Sequence, residues 1–144
     1  MSVKNKVCVT FLSKSENEGF ARMCVAALLS QADPTIEEMA DVKTAVSEAV
    51  TNAIVHGYGE NKGDIHMECT LEERLITITV KDNGKGIEDV EKAREPLFTT
   101  NPEMERSGMG FTVMETFMDS VDVESIVGVG TKVTMKKRIG SRLS

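Results

Sequence analysis

A carboxylate and an amide in the middle of the chain have the spacing of a ligand-binding pair. Glu48 and Asn52 are four residues apart in a segment of strong helical periodicity, so their side chains would lie on one face of a helix. The amide oxygen of Asn52 suits Mg²⁺, which prefers oxygen ligands and retains several waters, and Glu48 could accept a proton from an incoming hydroxyl. His56 continues the stripe, but we expect it to complement the helix dipole rather than to take part in chemistry. A merely solvated helix face is the alternative for this stripe.

A second candidate is the run Asp-Asn-Gly-Lys-Gly at residues 82–86, directly after an alternating strand-like segment. An aspartate at the end of a strand can accept a hydrogen bond from an exocyclic amine, which is the contact that distinguishes adenine from guanine. Gly84 and Gly86 would let the backbone pass a flat ring without a clash from Cβ. The same residues also form ordinary turns, so Asp82 and its glycines are weak evidence by themselves.

A third candidate is the start of a predicted helix, where free backbone N–H groups and the helix dipole favour phosphate. The segment before it, 95–102, has two threonines between two prolines and resembles a lid over phosphates, although a surface loop is the alternative. The spacing does not fit a P-loop or a dinucleotide-binding fingerprint, because a Gly-Lys-Ser/Thr run and a third glycine are missing. The coincidence of all three candidates favours a nucleotide site. The residues of this third candidate are Thr99, Thr100, Arg106, Ser107, Gly108, Met109 and Gly110.

The hydrophobic periodicity predicts the elements that must position these residues. In chain order we expect a strand at 6–12, helices at 15–31 and from 36 to about 57, a hairpin at 65–80, a helix at 108–118 and a second hairpin at 121–137. Ser15 and Glu18 have the spacing of a capping box at the start of the first helix. This order predicts an α+β fold, a two-layer α/β sandwich with an antiparallel or mixed sheet and helices on one face. Residues 1–144 are expected to form one domain.

The composition limits the possible functions. The chain has 144 residues, of which 40% are hydrophobic and 28% charged, as is typical of soluble globular proteins. Its net charge of −6 argues against direct nucleic-acid binding. Apolar runs of about 20 residues and an N-terminal signal peptide are absent, so no membrane partner is expected. The three cysteines have no metal-like spacing and favour a reducing compartment, and we therefore expect a cytoplasmic location.

The sequence resembles the GHKL (Bergerat-type) ATP-binding superfamily in all three candidate regions. Residues 46–58 (VSEAVTNAIVHGY) are similar to its N box, 82–86 (DNGKG) to its first glycine box and 107–110 (SGMG) to its second. Thr131 follows a Gly-Val-Gly run and matches the Gly-Thr pair that closes the adenine side of the family's site. The fold that this resemblance implies is the two-layer sandwich predicted from the periodicity.

Within the superfamily the chain is similar to the bacterial anti-sigma-factor serine kinases, above all to those of sporulation. The runs 96–100 (PLFTT) and 105–111 (ERSGMGF) carry this closer resemblance. It implies a homodimeric protein that binds and inhibits a sigma factor of the sigma-F type and phosphorylates a serine of a small anti-anti-sigma protein. Arg22 on the first helix is the candidate contact to the sigma factor, with an exposed helical arginine as the alternative. An ATP-gated sigma-binding switch without significant kinase activity, and a stress-response relative, remain alternatives.

The resemblance also implies roles for the candidate residues, with ATP and Mg²⁺ as cofactors. Glu48 would be the catalytic base, Asn52 would ligate Mg²⁺, and Asp82 would recognise adenine. The backbone of residues 108–110 and the side chain of Arg106 would hold the phosphates. The candidate cofactor-binding residues are Asn52, Asp82, Gly84, Gly86, Thr99, Thr100, Arg106, Ser107, Gly108, Met109, Gly110 and Thr131.

Overall fold

The computed structural model of the protein describes residues 4–95 and 110–140. The elements in these ranges are β1 (Lys4–Leu12), α1 (Glu16–Leu29), α2 (Ile36–Asn52), β2 (Asp64–Glu72), β3 (Leu75–Asp82), α3 (Val90–Arg94), α4 (Phe111–Phe117), β4 (Ser120–Ile126) and β5 (Gly130–Arg138). A 3₁₀ turn, Ser30–Ala32, follows α1, and a π-helical segment, Ala53–Tyr58, follows α2. None of the helices in the described ranges is long and apolar enough to span a bilayer.

The five strands form one sheet in the order β1-β2-β3-β5-β4, and every neighbouring pair is antiparallel. On β2, the alternate residues Ile65, Met67 and Cys69 are buried, while His66 and Glu68 between them are exposed. The apolar side of the sheet faces the helices and the polar side faces solvent, and each fully buried Ile or Met side chain contributes about 1.5–3 kcal/mol. The structure therefore confirms the α+β sandwich and specifies an antiparallel sheet.

Helix α2 is fixed at its start by a capping box that also holds Gly140, which follows β5. The hydroxyl of Thr35 accepts the N–H of Glu38 at 3.0 Å, and one carboxylate oxygen of Glu38 accepts the N–H of Thr35 at 2.9 Å. The other oxygen accepts the N–H of Gly140, 102 residues later, at 2.9 Å. This anchoring sets where α2 begins on the sheet, and the functional residues follow along its length.

The capping box expected at α1 is wrong. The side chain of Ser15 makes no cap hydrogen bond, and the N–H of Glu18 donates to the carbonyl oxygen of Ser15 instead. The carboxylate of Glu18 is occupied by two other groups: it accepts hydrogen bonds from Arg22 at 2.7 Å and from the hydroxyl of Ser47, on α2, at 2.5 Å. A tertiary contact between helices has replaced the local cap.

One predicted helix differs in kind near its end, and one helix was missed. The helix expected from 36 to about 57 is observed, but its last part, Ala53–Tyr58, is π-helical. The short helix α3 lies between the predicted hairpin at 65–80 and the predicted helix at 108–118, where no element was expected. Asp89 caps α3 by accepting the N–H of Lys92 at 3.1 Å, and Arg94 donates to Glu115 on α4 at 2.5 Å. The helix predicted at 108–118 is observed as α4, and residues 108 and 109 lie outside the described ranges.

Candidate functional site

A pocket lies between the C-terminal half of α2, the π-helical segment and the ends of β3 and β5. Its walls are mostly apolar, and its polar groups come from both the helix layer and the sheet. A mostly apolar lining with a few polar groups is typical of small-ligand sites. The lining residues are Ala49, Asn52, Ala53, His56, Gly57, Val80, Asp82, Gly86, Ile87, Phe111, Thr131 and Val133.

Asp82 ends β3 and is the buried carboxylate of this pocket, with only 4% of its surface exposed. Its Oδ1 accepts the N–H of Gly84 at 2.9 Å. Burial raises the pKa of Asp82, and backbone hydrogen bonds from Gly84 and Thr131 partly oppose that rise. The carboxylate is therefore held in one orientation, and its remaining acceptor capacity is available to a donor in the pocket.

The loop after Asp82 packs closely against the π-helical segment. A Cβ on Gly84 would overlap the backbone of Gly57, and the N–H of Lys85 donates to the carbonyl oxygen of Gly57 at 2.9 Å. Gly86 has φ of +80° and itself lines the pocket. Gly84 is thus required by contact between two backbone segments, which is a different reason from the passage of a flat ring that the sequence suggested.

Glu48 lies one turn before Asn52 on α2, and its carboxylate is packed against Gly110. Gly110 has φ of +66°, and a Cβ on it would overlap a carboxylate oxygen of Glu48. Gly110 also borders the 96–109 segment, for which the sequence predicts phosphate contacts. Burial, and secondarily the charge of Glu18, raises the pKa of Glu48. A carboxylate with a raised pKa is a stronger base than an ordinary glutamate.

A groove between α1 and α2 leads to Glu48. It is lined by Arg22, Lys43, Thr44, Ser47 and Glu48, among others. Arg22 donates to Glu18 at 2.7 Å and to the hydroxyl of Ser47 at 3.2 Å, yet 38% of its side chain remains exposed. Arg22 therefore lies near the proposed base, on a face that a second protein can reach.

Asn52 is the last residue of α2, lies in the pocket and is half-buried. Among residues 4–95 and 110–140, no three His, Cys, Asp or Glu side chains converge as a metal site. A single amide oxygen suits Mg²⁺ where waters and the phosphates of a nucleotide supply the other oxygen ligands. The donor set around Asn52 fits that use of the ion.

The structure places the described candidates together and leaves others untested. Asn52, Asp82, Gly86 and Thr131 line one pocket, although Asn52 and Thr131 are 79 residues apart in sequence. Glu48 lies one turn before Asn52 on α2, against Gly110. The candidates that lie outside the described residues are Thr99, Thr100, Arg106, Ser107, Gly108 and Met109.

One residue of this site was set aside in the sequence analysis, and one was missed. His56, which was expected only to complement the helix dipole, lines the pocket, and burial together with the charge of Lys85 lowers its pKa. Ser125 on β4 contacts Thr131, and nothing in the sequence near Ser125 indicated that contact.

Comparison with known families gives a match over most of the chain. Residues 11–137 match the histidine kinase-like ATPase domain. The chain is 59% identical over 138 residues to the anti-sigma F factor of Clostridium novyi (strain NT), covering 95% of this chain and 96% of that protein. It is 61% identical over 137 residues to the anti-sigma F factor of Clostridium acetobutylicum, covering 94% and 95%. The anti-sigma F factor of Thermoanaerobacter pseudethanolicus is 60% identical over 141 residues, covering 98% and 99%.

Solved structures of low sequence identity share the fold. The RsbU and RsbW domains of a Mycobacterium tuberculosis protein superpose with a TM-score of 0.68 at 20% identity, covering 94% of this chain and 32% of that one. The catalytic domain of the histidine kinase ThkA superposes with a TM-score of 0.55 at 16% identity, covering 92% and 96%. These matches support the two-layer architecture around the pocket.

Replacing Asp82 by Asn should change how the stability of the protein depends on pH. The folded-state pKa of Asp82 lies above its unfolded value, so this group stabilises the fold at low pH and loses that contribution as the pH rises through the folded pKa. Asn is neutral throughout. The free energy of unfolding in urea is measured for both proteins from about pH 4 to pH 8. Asp82→Asn should become more stable relative to the wild type as the pH rises. Asp122→Asn, an exposed change on β4, is the control, and a shift in favour of the wild type with rising pH would contradict this assignment.

Proposed function

The chain belongs to the histidine kinase-like ATPase family, and within it to the anti-sigma F factors, and on that basis we propose that it is an ATP-dependent protein serine kinase that also inhibits a sigma factor. Its proposed substrate is a serine of a small anti-anti-sigma protein, and its proposed inhibitory target is a sigma factor of the F type. The names of the relatives favour this target over that of a stress-response protein. A cytoplasmic location is part of the proposal, because a sigma factor is a subunit of RNA polymerase.

The observation that carries the kinase proposal is the position of the Glu48 carboxylate. It is packed against Gly110, while Asn52 and Asp82 line the adjoining pocket. A nucleotide with its base beside Asp82 would extend its phosphates past Asn52 towards Gly110. Glu48 would then lie at the end of the phosphate chain, where an acceptor hydroxyl arrives through the groove beside Arg22.

Each described residue has a defined part in the proposed reaction. Asp82 accepts a hydrogen bond from the 6-amino group of adenine, with Thr131 beside it. Asn52 would hold Mg²⁺, which when bound neutralises charge on the phosphates. Glu48 accepts the proton of the acceptor serine as the serine oxygen bonds to the γ-phosphorus. The bond between that phosphorus and the β–γ bridging oxygen breaks, and ADP is released. Thr99, Thr100, Arg106 and residues 107–110 remain proposed phosphate contacts.

The inhibitory function is proposed to use the exposed part of α1. Arg22 has the exposure and charge for a contact with a second protein. A homodimer remains a prediction; the edge strand β1, which pairs on one side only with β2, is compatible with it. The alternative is a switch that binds ATP and a sigma factor without transferring phosphate.

Glu48→Gln separates the kinase from the switch. Because Gln keeps the shape and removes the base, phosphate transfer from Mg-ATP to the anti-anti-sigma protein should fall by about 10²–10⁴-fold, with ATP affinity nearly unchanged. Transfer is measured in a single turnover, and mass spectrometry identifies the phosphorylated residue. Glu37→Gln, an exposed change on the same helix, is the matched control. If the wild type binds ATP and yields no phosphoserine, the switch is favoured. Full activity in Glu48→Gln would exclude Glu48 as the catalytic base.

Gly110→Ala should remove phosphate transfer by displacing Glu48. The added Cβ overlaps the Glu48 carboxylate, and the fold would hold alanine at a φ of +66°, which L residues rarely adopt. Gly128→Ala is the matched control, because Gly128 has a φ of +82° and no heavy atom beyond its two chain neighbours lies within 4 Å of the added Cβ. Both variants should lose about 1–2 kcal/mol of stability from backbone strain, measured by thermal unfolding. Only Gly110→Ala should lose transfer, and equal activity in the two variants would argue against the contact.

Glu18→Gln should shift the pH dependence of transfer. The negative charge of Glu18 is the second cause, after burial, of the raised pKa of Glu48. Removing that charge lowers the pKa, so the acidic limb of the kcat/KM profile should move to lower pH. Glu16→Gln, an exposed change in the same helical turn, is the control. A limb that stays in place or moves to higher pH would refute the role of Glu48 as the titrating base.

A further inference from the structure

Three residues on neighbouring strands form a polar row on the helix-facing side of the sheet. Asp82 on β3 pairs with Thr131 on β5, and Thr131 pairs with Ser125 on β4. Asp82 and Thr131 line the pocket, while Ser125 is half-buried behind them. The row therefore runs from the pocket into the β4–β5 hairpin.

The hydroxyl of Ser125 has three hydrogen-bond partners. It accepts the N–H of Ile87 at 2.7 Å, lies 3.1 Å from the carbonyl oxygen of Gly130 and lies 2.8 Å from Oγ1 of Thr131. A serine hydroxyl has one proton and two acceptor sites. A carbonyl oxygen can only accept, so making all three contacts at once requires that Ser125 donates to Gly130.

This arrangement determines the direction of the remaining hydrogen bond. If Ser125 donates to Gly130 and accepts from Ile87, its second acceptor site takes the proton of the Thr131 hydroxyl. Thr131 then presents only lone pairs to the pocket. Asp82, a carboxylate, is also an acceptor, so both polar groups at the sheet end of the pocket accept and neither donates.

We propose that Ser125 is a positioning residue that orients the Thr131 hydroxyl and thereby makes the nucleotide pocket select a 6-amino over a 6-oxo purine. The inference rests on the proposed ATP site and assigns to it a selectivity device beyond Asp82. A 6-amino group, or a water that donates to a ring nitrogen, matches two acceptors. A 6-oxo purine places a third acceptor, O6, against them. Its N1–H can donate to one of the two acceptors, but O6 and the other acceptor are left without a donor.

Ser125→Ala is the direct test, with ATP and inosine triphosphate as probes and calorimetry as the measurement. Without the serine oxygen, the Thr131 proton is released and can turn to donate to a 6-oxo group. The dissociation constant for inosine triphosphate divided by that for ATP should therefore fall by about tenfold, which corresponds to the free energy of one hydrogen bond. Ser125→Thr keeps the hydroxyl and should retain the wild-type ratio, and Ser120→Ala, on the exposed side of the same strand, should not change it.

A double variant distinguishes this role from a general loosening of the loop. In a Thr131→Val background there is no hydroxyl to orient, so the double variant should have the same ratio as Thr131→Val alone. If Ser125→Ala acted by loosening the loop, the ratio of the double variant would be lower than that of Thr131→Val. An unchanged ratio in Ser125→Ala would overturn the inference. The proposed ATP site would still stand if the wild type binds ATP and Asp82→Asn loses that binding. A wild type that binds neither probe would overturn the proposed function and this inference with it.

Discussion

The close approach of three backbone segments around the Asp82 carboxylate is the constraint on which the site depends. The loop after β3 touches the π-helical segment at Gly57 and Gly84, and it touches the β4–β5 hairpin where the N–H of Gly128 donates to the carbonyl oxygen of Lys85 at 2.8 Å. Each contact joins backbone to backbone, so a side chain at Gly84 would separate the layers. The pocket exists because these segments meet at the end of β3.

Helix α2 contributes to both the core and the site because its two faces differ in kind. One face buries small and branched residues, including Ala45, Ala49 and Val50, which allow the helix to lie close to the sheet. The adjoining face carries Glu48 and Asn52, one turn apart. Since one rigid helix carries both residues, the distance between the proposed base and the proposed metal ligand is fixed by helical geometry and does not depend on a loop.

The parts of the site that could be predicted from sequence are those set by local periodicity. The four-residue spacing of Glu48 and Asn52 and the alternation of β2 and β3 follow from the repeats of a helix and a strand. The contact of Ser125 with Thr131 depends on the register of a hairpin, and its contact with Ile87 depends on a loop that folds over it; neither has a local signature. Glu18 was assigned to a cap because the spacing allowed it, but Arg22 and Ser47 compete for the same carboxylate and bind it.

The buried carboxylate explains why this end of the pocket is organised around acceptors. Burial makes the charge of Asp82 unfavourable, as the direction of its pKa shift indicates. A ligand that brings a hydrogen-bond donor relieves part of that cost, whereas a ligand that brings another acceptor increases it. Selectivity arises in this way from the penalty on the wrong partner as much as from the bond to the right one. A Thr131 hydroxyl free to donate would weaken that penalty, because it would offer a partner to the wrong ligand. By holding the proton of this hydroxyl in one orientation, Ser125 therefore affects which nucleotide the fold accepts.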